Sequence, residues 1–553
     1  MSRTTLRHLH RRHALIFLFL SAYLALGPAH THAVLEFKSN NLNNHPYESD
    51  TANATTNDNC SYANTQTNAG GGQDSVDSHN CAPEPFAARA TNYCPAYPAS
   101  PLFRQRANSL TIGPDEDWQS LIEGAAPNTE ILLRDGVYQL SNYAVVLGNS
   151  NVTIRSASGN RNTVRIVGQG YGPGSEGFMV LAANITIADL SMRAIRNHAI
   201  SIKPEVGAAR THIYNVHLFN IGTQHIKGSS GDASIGGVVA CSSMGYTPGG
   251  ARGDYLGAID IHSAVNWIVR DNYIYNINGD GSGCEVDIDC GTYIYGAPSI
   301  FIWNGSRGSI VERNTIVDSY RGIALGLGSG HQGGVIRNNF IYRPIAGDAG
   351  IELWTANNLL VEHNTVILGG DYPGAIEYRE SSNITVRNNL ISAQPWDRGN
   401  NSGINLGGNI GNATAREFIT PGDPHLRSNS RAIGAGIASN LATDIDGDSR
   451  SGRADVGADQ YSEDPDEDGD GVDVDADQCP ATPAGVTVNR FGCSIAQLVP
   501  CAGPQATTQS WQSHSQYFRR ITRISKTFVI QGLITVGERI RVVRVASRAR
   551  CGR

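Results

Sequence analysis

The same ten-residue pattern returns along this chain at a fixed interval. GSIVERNTIV begins at residue 308, GGVIRNNFIY at 333, NLLVEHNTVI at 358 and NITVRNNLIS at 383, each 25 residues after the last. Every copy carries an asparagine at the same place: Asn314, Asn339, Asn364 and Asn389. An earlier copy, NWIVRDNYIY from 266, carries Asn272. Such a repeat must bury its apolar side against the next copy, so the units stack in one dimension. Each repeat holds three short β-runs, for example GIELW, LLVEH and TVILG, with Gly, Asn and Asp between them. Apolar residues alternate within the runs, and no helical period survives. The expected fold class is therefore mainly β: a right-handed, single-stranded parallel β-helix, one coil per repeat. The repeated asparagine is expected to tolerate a left-handed turn and to pass amide hydrogen bonds from coil to coil. A leucine-rich-repeat solenoid is the runner-up, but its Leu/Asn spacing is absent.

The rest of the chain divides around these coils. Residues 1–33 read as a secretory signal: basic RHLHRRH, apolar ALIFLFLSAYLALG and a small-residue cleavage site at Ala33. Residues 34–93 are a linker rich in Asn, Ser, Thr, Gly and Asp, with little to bury. The β-helix is expected over 94–440, opened by a short amphipathic helix around Trp118–Ile122 that covers the exposed strand edges. A terminal segment follows at 441–462. The ten cysteines lack paired zinc-ligand spacing and suit disulfides outside the cytoplasm. Cys284–Cys290 and Cys479–Cys493 are the expected local pairs. A tail at 496–553, bounded by Cys501 and Cys551 and strongly basic, is expected to be a small helical module closed by a disulfide. It would either attach to an anionic cell surface or act as a solubilising helix pair. The net charge of −7 is too mild to point to a partner, and no nucleic-acid partner is expected. The chain is expected to be secreted or at the cell surface, as a monomer.

The 25-residue coils with their turn asparagines resemble the pectate-lyase-like parallel β-helix superfamily over roughly half the chain. That superfamily includes polysaccharide lyases, glycoside hydrolases, epimerases, esterases and adhesins, so the resemblance implies the fold more strongly than the function. DPDEDGDGVDVDADQCPATPAGVTVNRFGC (464–493) resembles a thrombospondin type 3 calcium repeat. Asp466, Asp468 and Asp470 take loop positions 1, 3 and 5, and Gly471 turns the chain. The Val472 carbonyl and Asp477 complete a set of hard oxygen donors suited to Ca2+. Val474 stands where that family usually has Asp.

Function must come from a site, and projecting the first strand of each coil suggests one. Ile200, Ile259, Ile300, Ile351 and Ile376 point inward, so their neighbours line up outside. One expected column reads Ser201, His225, Asp260, Phe301, Ala324, Glu352, Glu377, Asn405. The other reads Lys203, Lys227, His262, Trp303, Gly326, Trp354, Arg379, Gly407. Two Gly-rich insertions, 228–255 and 278–293, are expected to wall this groove. Three functions fit it. A lyase acting on a uronate polysaccharide needs a base, here Lys227 or His262. It also needs a group to neutralise the sugar carboxylate, either Arg379 or Ca2+ held by Glu352 and Glu377. A non-catalytic adhesin would bind glycans through Trp303, Trp354, Asp260 and His225. A glycoside hydrolase would use Glu352 and Glu377 as its carboxylate pair.

Overall fold

The computed structural model describes Cys94 and residues 97–552, apart from 171–174, 248–255, 279–295, most of 463–476 and a few short or isolated positions. The expected signal peptide, the linker and the Cys284–Cys290 pair lie outside the described residues.

The described residues wind into a parallel β-helix in which every ladder between coils is parallel. Each coil supplies a strand to three stacks. The first stack carries the strands that frame the candidate site, including Gln224–Gly228, Gly257–His262, Pro298–Trp303 and Ile376–Arg379. The second includes Ile268–Arg270 and Thr385–Arg387, and the long strands Arg321–Arg337 and Ile351–Glu362 bend from the first stack into it. The third is a separate ten-stranded sheet. A continuous column of Ile, Val and Leu fills the interior, from Ile112 through Ile259, Ile300 and Ile351 to Ile391.

The asparagine ladder runs inside this column, between the second and third stacks. The Nδ2 of Asn272 donates to Asn314 Oδ1 at 2.9 Å. Asn314 donates to Asn339 and Asn339 to Asn364 at the same distance, and Asn364 to Asn389 at 3.0 Å. Asn409 extends it beyond the expected set, accepting from Asn389 at 2.8 Å. The left-handed turn residue is not the ladder asparagine, as the sequence suggested, but the residue before it: Asp271, Arg313, Asn338, His363 and Asn388 all have positive φ. The turn and the ladder are thus divided between adjacent positions. The second residue can then point its amide into the core.

The helix Trp118–Glu123 caps one end as expected. Trp118 and Ile122 join the core, and Glu123 Oε1 accepts the Val146 amide at 2.9 Å. The terminal segment behaves differently from a simple end cap. Phe418, Leu426, Ala432, Ile445 and Val456 pack on Phe340, Ile367 and Leu390, along the outside of the third stack. Arg450 is buried there and donates to Asn338 Oδ1 at 3.0 Å and to Ala458 O at 2.7 Å. The segment therefore braces three coils from the side, beginning near Ala413 rather than at 441.

Three disulfides are present among the described residues: Cys479–Cys493 as expected, Cys501–Cys551 closing the tail, and Cys94–Cys241. The last ties Cys94 to the second stack, where Tyr97 packs against Tyr214, Val238 and Ala240. In the tail, the helices His514–Ile530 and Val536–Arg548 share a small core with Trp511, Tyr517, Ile521 and Ala546.

Asn364 gives its side-chain amide to Asn389 Oδ1, Ile336 O and Glu362 O, and accepts from Asn339. Asn364→Ala leaves these buried partners unmatched. It should lower stability by about 1–3 kcal/mol, measured as a lower denaturation midpoint in thermal or urea melts. A variant that melts like the parent would mean the ladder is not holding the coils.

Candidate active site

The register of the first stack rearranges the two expected columns. Ser201 pairs with Lys227, Lys227 with Asp260, Asp260 with Phe301 and Phe301 with Ala324. Ala324 then pairs with Glu352, Glu352 with Glu377 and Glu377 with Trp396. Lys227 therefore belongs to the Asp260 column, and His225 does not belong there. His225 is fully buried between Gly257 O at 3.0 Å and Gly245 O at 3.2 Å, and burial pushes its pKa down to about 4. It is a core residue, not a sugar contact. Asn405–Gly407 also leaves the site, because it stacks on Thr385–Arg387 in the second stack. The coil's first-stack strand is instead Trp396–Asp397.

The expected wall at 228–255 is largely coil. Val238–Ala240 lies in the second stack and Ser243–Gly245 in the third. Gly237 is needed there, since a Cβ would sit 2.3 Å from the Trp267 ring. Residues 248–255 and most of 278–293 lie outside the described residues.

Two charged clusters stand on this face among the described residues. In the first, Asp260 is buried and accepts from Lys227 Nζ at 2.6 Å and from Trp303 Nε1 at 2.9 Å. The His262 ring lies 4.3 Å from the Trp303 ring, and its Nε2 is 3.9 Å from Asp260 Oδ1. Burial lowers the His262 pKa to about 4, and the Lys227 ammonium adds to the effect against the opposing pull of Asp260. The imidazole is therefore neutral around pH 7, beside an ammonium fixed by a buried carboxylate. Trp303 stacks on Phe301 at 4.6 Å, which holds its ring upright.

In the second cluster, Arg379 Nη2 donates to Glu352 Oε1 at 2.7 Å, and the guanidinium carbon Cζ lies 3.3 Å from the centroid of the Trp354 ring. Arg398 donates to Glu377 Oε1 at 2.7 Å, and Tyr372 donates to the other oxygen. Arg321 pairs with Asp348 and reaches Glu352 at 3.9 Å. Burial, then the neighbouring Glu352, raises the Glu377 pKa. Arg321, Asp348, Arg398 and Tyr372 were not singled out from the sequence. Arg398 would have emerged had Trp396–Asp397 been read as the coil's strand. Arg321 begins its strand, just outside the projected window.

This geometry corrects two expected roles. His262 and Arg379 are four coil steps apart in one column, roughly 19 Å at about 4.8 Å per step. They cannot act on the same sugar ring. Glu352 and Glu377 face arginines, so they are poorly suited to hold Ca2+. In the calcium-like segment, Asp466 and Asp470 lie outside the described residues. Asp468 Oδ2 accepts the amides of Ala481 and Thr482, and Asp477 Oδ1 accepts that of Cys479. Val472 lies at a bend. Elsewhere, His425, Asp446 and Asp459 place one donor atom each within 4.8 Å of one another, a spacing that a metal ion would suit. Burial would lower the His425 pKa, but Asp423 and Asp446 together hold it well above the usual imidazole value.

No protein-family model matches the chain, and no curated protein matches it. Similar solved structures include the pectate lyase Pel9A, at 14% identity and a TM-score of 0.40, over 65% of this chain and 98% of that one. The alginate lyase AlyF-OU02 in complex with G6 gives 14% and 0.38, over 65% and 93%. An alginate lyase from Paenibacillus sp. str. FPU-7 gives 15% and 0.34, over 54% and 99%. At such identities and scores, function must be argued from the side chains.

The His262 environment can be tested directly. Its imidazole should titrate near pH 4 by NMR, well below the ordinary value. Lys227→Met should move that titration upward, because a neighbouring cation is lost while Asp260 remains. No movement would mean that the two groups do not interact.

Proposed function

We propose that this chain is a secreted polysaccharide lyase that cleaves an acidic, uronate-containing polysaccharide by β-elimination. The observation that carries this reading is the Lys227–Asp260–His262–Trp303 cluster, in which a neutral, mostly buried imidazole stands beside a fixed ammonium on the outward side of the first stack. Elimination removes the C5 proton of a uronate. The C5–H electrons form a C4–C5 double bond, and the C4–O bond breaks as the leaving oxygen takes a proton from water. Removing that proton is slow unless the adjacent carboxylate is neutralised. The Lys227 ammonium supplies the positive charge, and His262 accepts the proton. Arg379, on a later coil, pairs with the carboxylate of a sugar further along the chain, exchanging Glu352 for substrate. Trp303 positions the reacting ring. The three disulfides accord with an oxidising compartment, and no described helix is long and apolar enough to cross a membrane.

A second reading rests on Glu352 and Glu377. They face each other on adjacent coils, and the Glu377 carboxyl is pushed up toward its protonated form, the division of labour of a glycoside hydrolase. Its weakness is burial: Glu377 is only 1% exposed and already bonded to Arg398 and Tyr372. A non-catalytic glycan-binding adhesin is the third outcome.

Incubation with a panel of uronate and neutral polysaccharides separates the three. A lyase releases products whose new conjugated double bond absorbs in the ultraviolet. Lys227→Ala and His262→Ala should then lower kcat by about 10²–10⁴-fold. Trp303→Ala should weaken binding more than turnover. A hydrolase releases saturated reducing ends and loses activity with Glu352→Gln or Glu377→Gln. An adhesin retains glycan without product.

The all-oxygen donors of the segment from Asp466 to Asp477 suit a hard divalent cation, and the Cys479–Cys493 disulfide pins the chain beside them. Calcium should bind measurably by calorimetry, and chelation should lower the melting transition of this module without moving that of the β-helix. Undetectable calcium binding would remove the assignment.

A further inference from the structure

The tail helices carry an outer surface that the lyase reading does not use. Between His514 and Arg550 the chain holds nine Arg or Lys residues against a single acid, Glu538, in a protein whose overall charge is −7. Arg541, Arg544 and Arg548 are spaced three and four apart on the helix Val536–Arg548, so they share one exposed face. Arg519, Arg523 and Lys526 are exposed on the helix His514–Ile530. The inner faces are occupied by Tyr517, Ile521, Phe528 and Ala546.

The same helices also expose aliphatic side chains. Ile530 is 74% exposed, Val545 71%, Val536 61% and Ile540 51%, four of the six described large hydrophobic residues that are more than half exposed. Val536, Ile540 and Arg544 follow one another at four-residue spacing, so apolar and basic side chains alternate along adjacent lines of the helix. A surface built only for solubility, or only for a soluble polyanion, has no use for these aliphatic residues. An anionic bilayer uses both: its headgroups attract the arginines, and the aliphatic side chains enter the acyl boundary.

We propose that this disulfide-closed helical pair binds the surface of anionic lipid membranes and holds the protein there. The lyase proposal can fail without affecting this one.

The test uses the full-length protein in sedimentation with phosphatidylcholine vesicles, with and without phosphatidylglycerol. Binding should favour the anionic vesicles by at least about tenfold and weaken with salt. The combined Arg541→Gln, Arg544→Gln and Arg548→Gln variant should lose about tenfold or more of it. Ile540→Ser with Val545→Ser should lose binding while keeping all charges. The circular dichroism of both variants should match the parent, and both should retain any activity on soluble substrate. Equal binding to neutral vesicles, or unchanged binding in either variant, overturns the proposal. So does competition by a soluble acidic polysaccharide that the aliphatic substitutions leave unaltered, since the site would then be a polyanion site.

Discussion

From Asn272 to Asn409 the outer face of this protein takes its spacing from an amide ladder inside it. Each ladder asparagine hands one hydrogen bond to the next coil at 2.8–3.0 Å. Those bonds are satisfied only when the coils stand in one register. A slip of one residue would exchange the inner and outer faces of every strand. It would also leave buried amides without partners, at about 1–3 kcal/mol each. The register that lines up Glu352 with Glu377 is the same register that lines up Asn364 with Asn389.

The two charged clusters use that spacing in different ways. Asp260 is buried and divides its oxygens between an ammonium and an indole N–H, while burial, and then the Lys227 ammonium, keeps the neighbouring imidazole neutral. The Glu352–Glu377 cluster instead collects guanidinium groups on successive coils. Burial makes each of these charges costly unless it is paired, so the pairs are positioned before any ligand arrives. The cations along the stack are therefore oriented by the fold itself.

The fixed period made the fold readable. Alternation in the regular coils correctly placed Ile259, Ile300, Ile351 and Ile376 inside, and the 25-residue step located the ladder. Legibility failed where the period failed. The coil containing Gln224–Gly228 lacks a ladder asparagine, and His225 was shifted by two positions as a result. Gly-rich composition disguised Val238–Ala240 as an insertion, although glycine is required there by the Trp267 ring. The arginine–carboxylate pairs were invisible for another reason. They join residues 21 to 27 positions apart through side-chain rotamers, which strand alternation does not encode. The disulfide Cys94–Cys241 spans 147 residues and has no local signature at all.

Because the scaffold grows in whole coils, the distance between the two charged clusters can change only in steps. The strands of Phe301 and Ala324 stand where the two clusters meet, one carrying Trp303 of the first and the other Arg321 of the second. Inserting one further coil between them would part the clusters by roughly 5 Å, about one strand spacing, while leaving both intact. A family built on this plan would therefore acquire preferences for different lengths of ligand by counting repeats, much as a ruler is lengthened by whole divisions, with no change to any residue that touches the ligand.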